Sequence, residues 1–234
     1  DKTINKVELL TNKSSKLQFK QLYHPLLKNK PIKNNITLKK NKIITGPNAS
    51  GKTTMLKSTI INLLLCQQIG FGYLNSGKIT PFHHIHCYMN IPDTNGRDSL
   101  FQAEARRCLE IYQNMKTHKD ERHFAIFDEL YSGTNPYEAI SSAYAYLHSI
   151  SKNKNIKFIL TTHFIKLCEL FEQNKNKRIE NYHMSTTITN NYDPIYKYKI
   201  TKGVSKVKGG ICVLKQLNYP QDVIENTQKI LNNI

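Results

Sequence analysis

Residues 46–53 have the spacing of a phosphate-binding loop. Gly46-Pro47-Asn48-Ala49-Ser50-Gly51-Lys52-Thr53 matches Gly-x-x-x-x-Gly-Lys-Ser/Thr, and Thr54 completes the candidate nucleotide-binding set. The glycines let the backbone curl so that successive N–H groups face one anion, toward which a following helix points its positive end. Lys52 is expected to reach the β- and γ-phosphates, and the Thr53 hydroxyl to ligate Mg²⁺. A chance glycine turn is disfavoured because an apolar strand precedes the loop and a helix follows it.

Two carboxylates end a second apolar stretch. The run 124–127, Phe-Ala-Ile-Phe, is followed directly by Asp128 and Glu129. After a phosphate loop, Asp128 is expected to hold Mg²⁺ through water, and Glu129 to orient or deprotonate the attacking water. A solvated strand end is the ordinary explanation of such a pair, but the preceding loop favours the catalytic interpretation.

A third polar cluster ends the run Ile159-Leu160-Thr161-Thr162-His163. An imidazole at this place could approach the γ-phosphate and sense its presence. A capping threonine followed by a surface histidine explains the same residues equally well, so both interpretations remain open for His163.

The elements that must position these groups alternate between strands and helices. Apolar runs and period-two alternation predict strands at 42–45, 79–91, 123–127 and 157–161, and two more over 181–201. Helical periodicity predicts helices at 52–69, 99–117, 136–151, 164–172 and 220–231. This order predicts an α/β fold in which helices flank a mostly parallel sheet. The helix at 99–117 carries its stripe at Ala103, Arg107, Leu109, Ile111 and Met115. Residues 1–20 show only a weak strand-like alternation, and 31–41 are expected to contain loop and a short strand. The Asn- and Lys-rich stretches 28–42, 151–157 and 173–181 are expected to be surface loops.

The net charge of +17 has two explanations. A polyanionic partner such as DNA would favour it through counterion release. Alternatively, a chain rich in Lys, Asn and Ile reflects the coding bias of an AT-rich genome. Because the lysines are scattered along the sequence, the charge supports a nucleic-acid partner without deciding for it.

Composition bounds the class of protein. The 234 residues, 39% of them hydrophobic, suit one substantial globular core. No apolar run approaches the roughly 18–20 residues that span a bilayer, so no membrane partner is expected. The five cysteines form no Cys-x-x-Cys pair, which predicts reduced thiols in the cytoplasm, in the nucleus or in a viral replication compartment. The chain does not begin with Met and is expected to be part of a longer protein.

The histidine-rich segment 83–87, His-His-Ile-His-Cys, suggests a metal site only weakly. His84 and His86 would share one face of a strand. No second pair of ligands follows at the spacing of a zinc site, so an ordinary strand is favoured.

Several segments, in the same order along the chain, resemble the ATPase domain of the MutS family of DNA mismatch-repair proteins. They are GPNASGKTT at 46–54, FDELYSGTNPYEA at 127–139 and LTTHFIKLCEL at 160–170. The segment 95–104 is similar to the family's Gly-Arg-Ser-Thr-Phe-x-x-Glu, and 23–25 to its Arg-His-Pro. With the tail that begins at Gly203, the resemblance covers residues 20–234.

The resemblance implies a P-loop NTPase of the ABC-ATPase type with a small C-terminal helical dimerisation element. It implies an entry segment over 1–20, the ATPase domain over 21–202 and the dimerisation element over 203–234. The expected cofactors are ATP and Mg²⁺, and the expected partner is a second, identical or related ATPase domain.

The family's nucleotide sites are composite, because each of two paired domains contributes to the other's nucleotide. By resemblance, Ser99 would approach the γ-phosphate across the interface and Asn48 would contact it within its own subunit. His163 would act as the switch residue, and 133–135 would form the loop that communicates between subunits.

The adenine pocket is also implied by the resemblance. Ile32 and Tyr198 fall where the family places side chains that pack on adenine. An aromatic ring at 198 could stack on a base, and a solvated strand tyrosine remains the alternative.

The expected function is ATP binding and hydrolysis in a MutS-like mismatch-repair or recombination protein, which dimerises around ATP to drive conformational change on DNA. Mismatched or branched DNA would be recognised mainly by regions outside this chain. The alternative is an ATP-dependent scaffold or tether with slow or no turnover. A transporter subunit is disfavoured because no Leu-Ser-Gly-Gly-Gln-type signature precedes Asp128. Departures at 99–101, 133–136 and 208–210 indicate a divergent member of the family.

Overall fold

The computed structural model describes residues 4–11, 15–27, 30–89, 99–189, 193–205, 207 and 209–233. Its twelve strands are β1 Asn5–Lys6, β2 Glu8–Leu9, β3 Leu17–Leu22, β4 Asn34–Thr37, β5 Asn41–Thr45, β6 Phe71–Gly72, β7 Ser76–Ile79, β8 His84–Tyr88, β9 His123–Asp128, β10 Ile156–Thr162, β11 Ile179–Ile188 and β12 Pro194–Lys202. Its six helices are α1 Lys52–Ile69, α2 Leu100–Thr117, α3 Pro136–Ser151, α4 Ile165–Gln173, α5 Gly209–Gln216 and α6 Gln221–Asn233.

A six-stranded sheet forms the centre of the fold. Its strand order is β12-β11-β5-β10-β9-β8, in which every pair is parallel except β11 with the edge strand β12. This confirms the predicted mostly parallel sheet. The carboxyl ends of β5, β9 and β10 therefore meet at one edge, where the three predicted polar segments follow them.

The central strands are buried on both faces because their side chains alternate between two cores. One core joins Ile43, Phe127 and Leu160 to α2, α3 and α4. The other joins Ile44, Phe124 and Ile159 to α1 and to a second sheet. The unbroken apolar runs in the sequence reflect this double burial.

The second sheet has four strands in the order β2-β7-β3-β4, and a short pair, β1 with β6, lies beside it. The strand β4 lies in the stretch 31–41, where a short strand was expected, but the pairing of the four strands was not predicted. The expectation of a surface loop over 28–42 was wrong around β4, because Ile36 and Leu38 are buried in the core. The strand β3 crosses the expected boundary between residues 20 and 21, and its Leu17 and Phe19 are fully buried. The segment before residue 21 therefore packs onto the same core as α1.

Most predicted helix bounds agree with the structure. One core-facing residue of a helix and one strand were predicted wrongly. The apolar stripe of α2 was expected to include Leu109, which is 54% exposed, whereas Cys108 faces the core. The strand predicted over 79–91 is divided, because β7 ends at Ile79 and β8 begins at His84. Pro81 lies between them and lacks the N–H that a ladder requires.

The C-terminal helices α5 and α6 pack against each other, and only α6 was predicted as a separate helix. A Cβ added at Gly209 would lie 2.9 Å from the Pro47 Cβ, so α5 begins against the phosphate loop. Within the described part of the chain, no helix is both long and apolar enough to cross a membrane. Residues 95–98 and Lys208, which belong to the family-like segments, lie outside the described residues.

Candidate active site

The loop 46–51 joins the central strand β5 to α1. Ala49 and Gly51 have left-handed backbone angles, with φ of 63° and 94°. Such angles curl the chain between strand and helix, and Gly51 adopts them without the strain that a side chain causes. The loop thus directs the start of α1 toward the edge where the parallel strands end.

Lys52 is the first residue of α1 and is only 5% exposed. Its Nζ donates hydrogen bonds to the Gly46 carbonyl at 2.9 Å and the Pro47 carbonyl at 3.3 Å, and lies 3.6 Å from Glu129 Oε1. Burial lowers the pKa of Lys52, while the nearby carboxylates act in the opposite direction. The ammonium is therefore held inside the loop, close to a carboxylate.

Asp128 connects three elements at the end of β9. Its Oδ2 accepts a hydrogen bond from the Thr53 hydroxyl at 2.9 Å, and its Oδ1 accepts one from the Thr161 hydroxyl. Thr53 belongs to α1 and Thr161 to β10. A carboxylate next to a threonine hydroxyl supplies the hard oxygen ligands that Mg²⁺ prefers.

Glu129 lies directly after β9 with a φ of 54°, in the left-handed region. Its N–H donates to the Thr161 carbonyl at 3.0 Å, and its Oε1 lies 3.7 Å from His163 Nδ1. The His163 imidazole, and then the Lys52 ammonium, hold the pKa of Glu129 below its usual value although burial raises it. The carboxylate is thus ionised at neutral pH and faces two basic groups.

Ser50 gives a test of whether this loop fits a phosphate. Its side chain is buried, and its Oγ has no hydrogen-bond partner among the described residues. A Cβ at Gly46 would lie 2.7 Å from this hydroxyl, so the loop closes tightly around it. A buried hydroxyl without a partner is costly, and a phosphate oxygen accepting from it would remove that cost.

A cavity of about 300 Å³ opens beside the start of α1. Ile32 and Tyr198, the two residues expected to pack on adenine, both line it, together with Gly51 and Thr54. Tyr198 is 43% exposed, and a Cβ at Gly51 would lie 3.0 Å from its ring. The ring therefore lies against the phosphate loop rather than standing free on its strand.

Ser99 is the N-cap of α2 and is exposed. Its Oγ accepts from the Gln102 N–H at 3.3 Å, and the Gln102 side chain accepts from the Ser99 N–H at 2.8 Å, which forms a capping box. Among the described residues, none of its hydrogen bonds reaches the phosphate loop of its own chain. Asn48 lies in that loop's turn.

Comparison with known proteins decides the family. The family model for MutS domain V matches residues 42–234. The chain belongs to the MutS domain V family. It is similar to the DNA mismatch repair protein MutS of Bacteroides fragilis, with 31% identity over 196 residues that cover 82% of this chain and 22% of that protein.

Two further relatives match more of the chain. The DNA mismatch repair protein MutS of Parabacteroides distasonis is 30% identical over 234 residues, covering 94% of this chain and 26% of that protein. That of Persephonella marina is 27% identical over 222 residues, covering 92% of this chain and 25% of the relative. This MutS domain V chain thus spans about a quarter of the length of these relatives, which are bacterial and give no support to a nuclear or viral compartment.

Glu104 is a buried carboxylate of this MutS domain V chain to which the sequence interpretation assigned no role. It is 2% exposed and accepts hydrogen bonds from the Ser132 N–H at 3.0 Å, the Ser132 hydroxyl at 2.8 Å and the Gly133 N–H at 3.0 Å. A Cβ at Gly133 would lie 2.7 Å from the Phe101 nitrogen. Through these hydrogen bonds, Glu104 links residues 132–133 to the first turns of α2.

The signal for Glu104 was its place among the core-facing residues of α2. A glutamate is rarely buried unless its carboxylate has partners. The start of α2, which carries Ser99, and the segment 132–133 are therefore coupled by one side chain.

Four imidazoles gather at the edge of the central sheet formed by β8 and β9. His84 stacks on His123 with ring centroids 4.6 Å apart, and His118 lies 4.6 Å from His84. His86 Nε2 lies 3.1 Å from His123 Nδ1. In the described parts of the chain, no group of three or more His, Cys, Asp or Glu side chains is arranged to hold a metal ion.

This cluster predicts a loss of stability in acid. Burial, and then the neighbouring His123 and His84, lower the pKa of His86 to about 4. The folded protein therefore favours the neutral His86 imidazole. Because unfolded histidine titrates near 6.5, the unfolding free energy is highest above about pH 6.5 and decreases as the pH falls toward about 4. Glu121, hydrogen-bonded to His84, is the carboxylate of the cluster, while Arg107 adds a positive charge.

The measurement is urea denaturation at about pH 7 and about pH 5. With a discount for the partial exposure of His86, its protonation should remove about 1–2 kcal/mol of unfolding free energy. His86→Gln, which cannot titrate, should lose correspondingly less. An equal loss in both proteins would show that His86 does not carry the effect.

Proposed function

We propose that this domain binds ATP with Mg²⁺ and hydrolyses ATP to ADP and phosphate, in a pair with a second domain of its family. The observation that carries the proposal is the convergence of Lys52, Thr53, Asp128 and Glu129 where β5 and β9 end. A buried cation, a metal-ligand pair and an ionised carboxylate at one helix N-terminus suit phosphoryl chemistry.

Binding of the phosphates is assigned to residues 46–54. The curled backbone would present N–H groups to the phosphates, together with the Ser50 hydroxyl and the Lys52 ammonium. Thr53 would ligate Mg²⁺ and Asp128 would hold it through water. When bound, the metal would neutralise the charge that develops on the phosphate oxygens. Asn48 would contact the γ-phosphate from the same loop.

Hydrolysis is assigned to Glu129 and His163. Glu129 would orient a water and accept its proton as the water oxygen attacks the γ-phosphorus and the bond to ADP breaks. The low pKa of its carboxyl keeps it ready to accept that proton at neutral pH. His163, half exposed and 3.7 Å from Glu129, would respond to the γ-phosphate and pass its presence on.

Selectivity for adenine is assigned to the cavity next to α1. Its lining combines Ile32, Met184 and Tyr198, whose apolar and aromatic side chains would pack on the faces of a flat aromatic base. The contact of the Tyr198 ring with Gly51 supports the stacking interpretation over the solvated one.

Pairing of two domains is supported by two exposed features. Ser99 stands at the exposed start of α2 with no bond to its own phosphate loop, as a group acting on a partner's nucleotide would. The C-terminal segment 203–234 is proposed as the dimerisation element. Large apolar side chains of α5, α6 and their connection are exposed, namely Val213, Leu217, Tyr219, Val223 and Ile230.

The wider role is inferred from the relatives named DNA mismatch repair protein. We place this domain in a longer protein that couples ATP-driven pairing to conformational change on mismatched or branched DNA. The departures at 99–101 and 133–136 support a divergent member of the family. A scaffold with slow or no turnover is the alternative, and the placement of Glu129 beside Lys52 favours hydrolysis.

The test is steady-state phosphate release by this chain with Mg²⁺ and ATP over a range of protein concentrations. Composite sites predict that turnover per domain rises with concentration, in parallel with dimer formation measured by analytical ultracentrifugation. Binding of ATP without hydrolysis would favour the scaffold. Failure to bind ATP would refute the proposal.

A further inference from the structure

A large groove lies at the edge of the central sheet opposite the phosphate loop. There the parallel strands β5, β10 and β11 begin, at Asn41, Ile156 and Ile179. The groove has a volume of about 1100 Å³ and is open to solvent. None of the residues assigned to ATP binding or hydrolysis lines it.

Four lysines line this groove, which we call the basic groove: Lys16, Lys39, Lys154 and Lys157. They come from three stretches that are far apart in the sequence. The segments before β5 and β10 were expected to be separate Lys- and Asn-rich surface loops. Because parallel neighbours begin at the same edge, folding brings Lys39 close to Lys154 and Lys157. The hydrogen bond from the Leu38 N–H to the Leu17 carbonyl places Lys16 beside them.

The negative charge of Glu180 in the basic groove is paired with lysines other than the four that define the groove. Glu180 is the carboxylate of its lining, and it pairs with Lys42 at 3.4 Å and Lys40 at 3.7 Å. Lys42 is buried and lies 3.6 Å from the Tyr182 ring centre. Among the described residues, no carboxylate lies within 4.0 Å of the four groove ammonium groups. The groove therefore presents a surplus of positive charge.

Lys157 is partly buried, so the surplus of positive charge in the basic groove is not confined to exposed side chains. Its Nζ donates to the Lys39 carbonyl at 3.1 Å, which fixes its position at the groove wall. Burial, and then repulsion from Arg178, lower its pKa. An anion in the groove would offset that repulsion.

We propose that the basic groove binds the sugar-phosphate backbone of a nucleic acid. The neighbouring strands β11, β5 and β10 span roughly 10 Å, which is long enough for about two or three consecutive phosphates of one strand. Exposed lysines spread along an open groove suit a row of phosphates, whereas a single phosphate is usually held in a cradle of backbone N–H groups. Coding bias could raise the number of lysines, but it gives no reason for them to gather at one edge.

The groove and the proposed ATP site lie at opposite edges, so the two proposals can fail separately. The test measures fluorescence anisotropy of a labelled duplex with the whole chain and without nucleotide. The groove variant carries Lys16→Gln, Lys39→Gln and Lys154→Gln; Lys157 is left intact because it bonds to the backbone. The matched control carries Lys6→Gln, Lys20→Gln and Lys116→Gln, three exposed lysines outside the groove.

We expect the groove variant to bind the duplex at least about tenfold more weakly at about 50 mM salt, and the control to stay within about twofold of the wild type. The slope of log affinity against log salt should fall by roughly 2–3 in the groove variant, because three phosphate contacts are lost. Unchanged ATP turnover and melting temperature in the groove variant would show that the fold and the other site are intact.

Equal loss of affinity in both variants would overturn the proposal, because it would assign binding to diffuse charge. Unchanged affinity in the groove variant, or no binding by the wild type, would overturn it as well. Displacement of the duplex by pyrophosphate at constant ionic strength would assign the groove to small phosphates instead.

Discussion

Lys52→Ala is expected to weaken ATP binding by at least about 100-fold, because a charge-assisted contact with two phosphates is lost. The wild-type ammonium is held at the loop by the carbonyls of Gly46 and Pro47. An incoming phosphate therefore meets a cation that is already positioned. Isothermal titration calorimetry with ATP and Mg²⁺ measures the change.

Lys57→Ala is the matched control, since Lys57 is an exposed lysine of the same helix. It removes the same charge and should leave the affinity within about twofold. Lys52→Met keeps most of the buried side chain, and it should fold while binding ATP as poorly as Lys52→Ala. Normal ATP affinity in Lys52→Met would refute the assignment of the phosphate loop.

The central sheet was predictable because its signals are local. The strands β5, β9 and β10 are apolar on both faces and read as continuous runs. Helix α1 follows a glycine loop, and helix α2 begins at a serine N-cap. Each of these signals lies within a few residues of the element that it predicts.

The second sheet was not predictable, because its pairing is distant. The strand β3 pairs with β7, and Leu17 lies opposite Ile79. Strands of two to six residues carry too little alternation to stand out. Their burial depends on α1, which covers them only in the folded chain.

Some residues of the candidate site were also predictable from local signals, and others were not. The order of Lys52, Asp128 and Glu129 indicated a shared edge, because each follows or ends a strand. The carboxylate of Glu104 finds its partners 28 and 29 residues away, which no spacing rule indicates. The lysines of the basic groove seemed scattered for the same reason. The parallel register of β5 and β10 brings Lys39, Lys154 and Lys157 together, and the pairing of β3 with β4 adds Lys16.

Glu129→Gln is expected to bind ATP and to lose turnover by about 100- to 10,000-fold, the range that a general base contributes. The amide keeps the shape of the carboxylate but cannot accept a proton. Loss of the negative charge beside Lys52 also favours an anionic ligand, so ATP affinity should hold or rise. Because hydrolysis would release the pair of domains, the variant should accumulate as a dimer with ATP.

Phosphate release and analytical ultracentrifugation with ATP test both parts of this prediction. Glu169→Gln is the matched control, because Glu169 lies on α4, has a side chain that is 46% exposed and pairs with Lys166. It should keep turnover within about twofold, since an exposed ion pair contributes little. Wild-type turnover in Glu129→Gln would refute Glu129 as the base. Slow turnover without an ATP-dependent dimer would keep Glu129 as the base and remove hydrolysis as the step that separates the two domains.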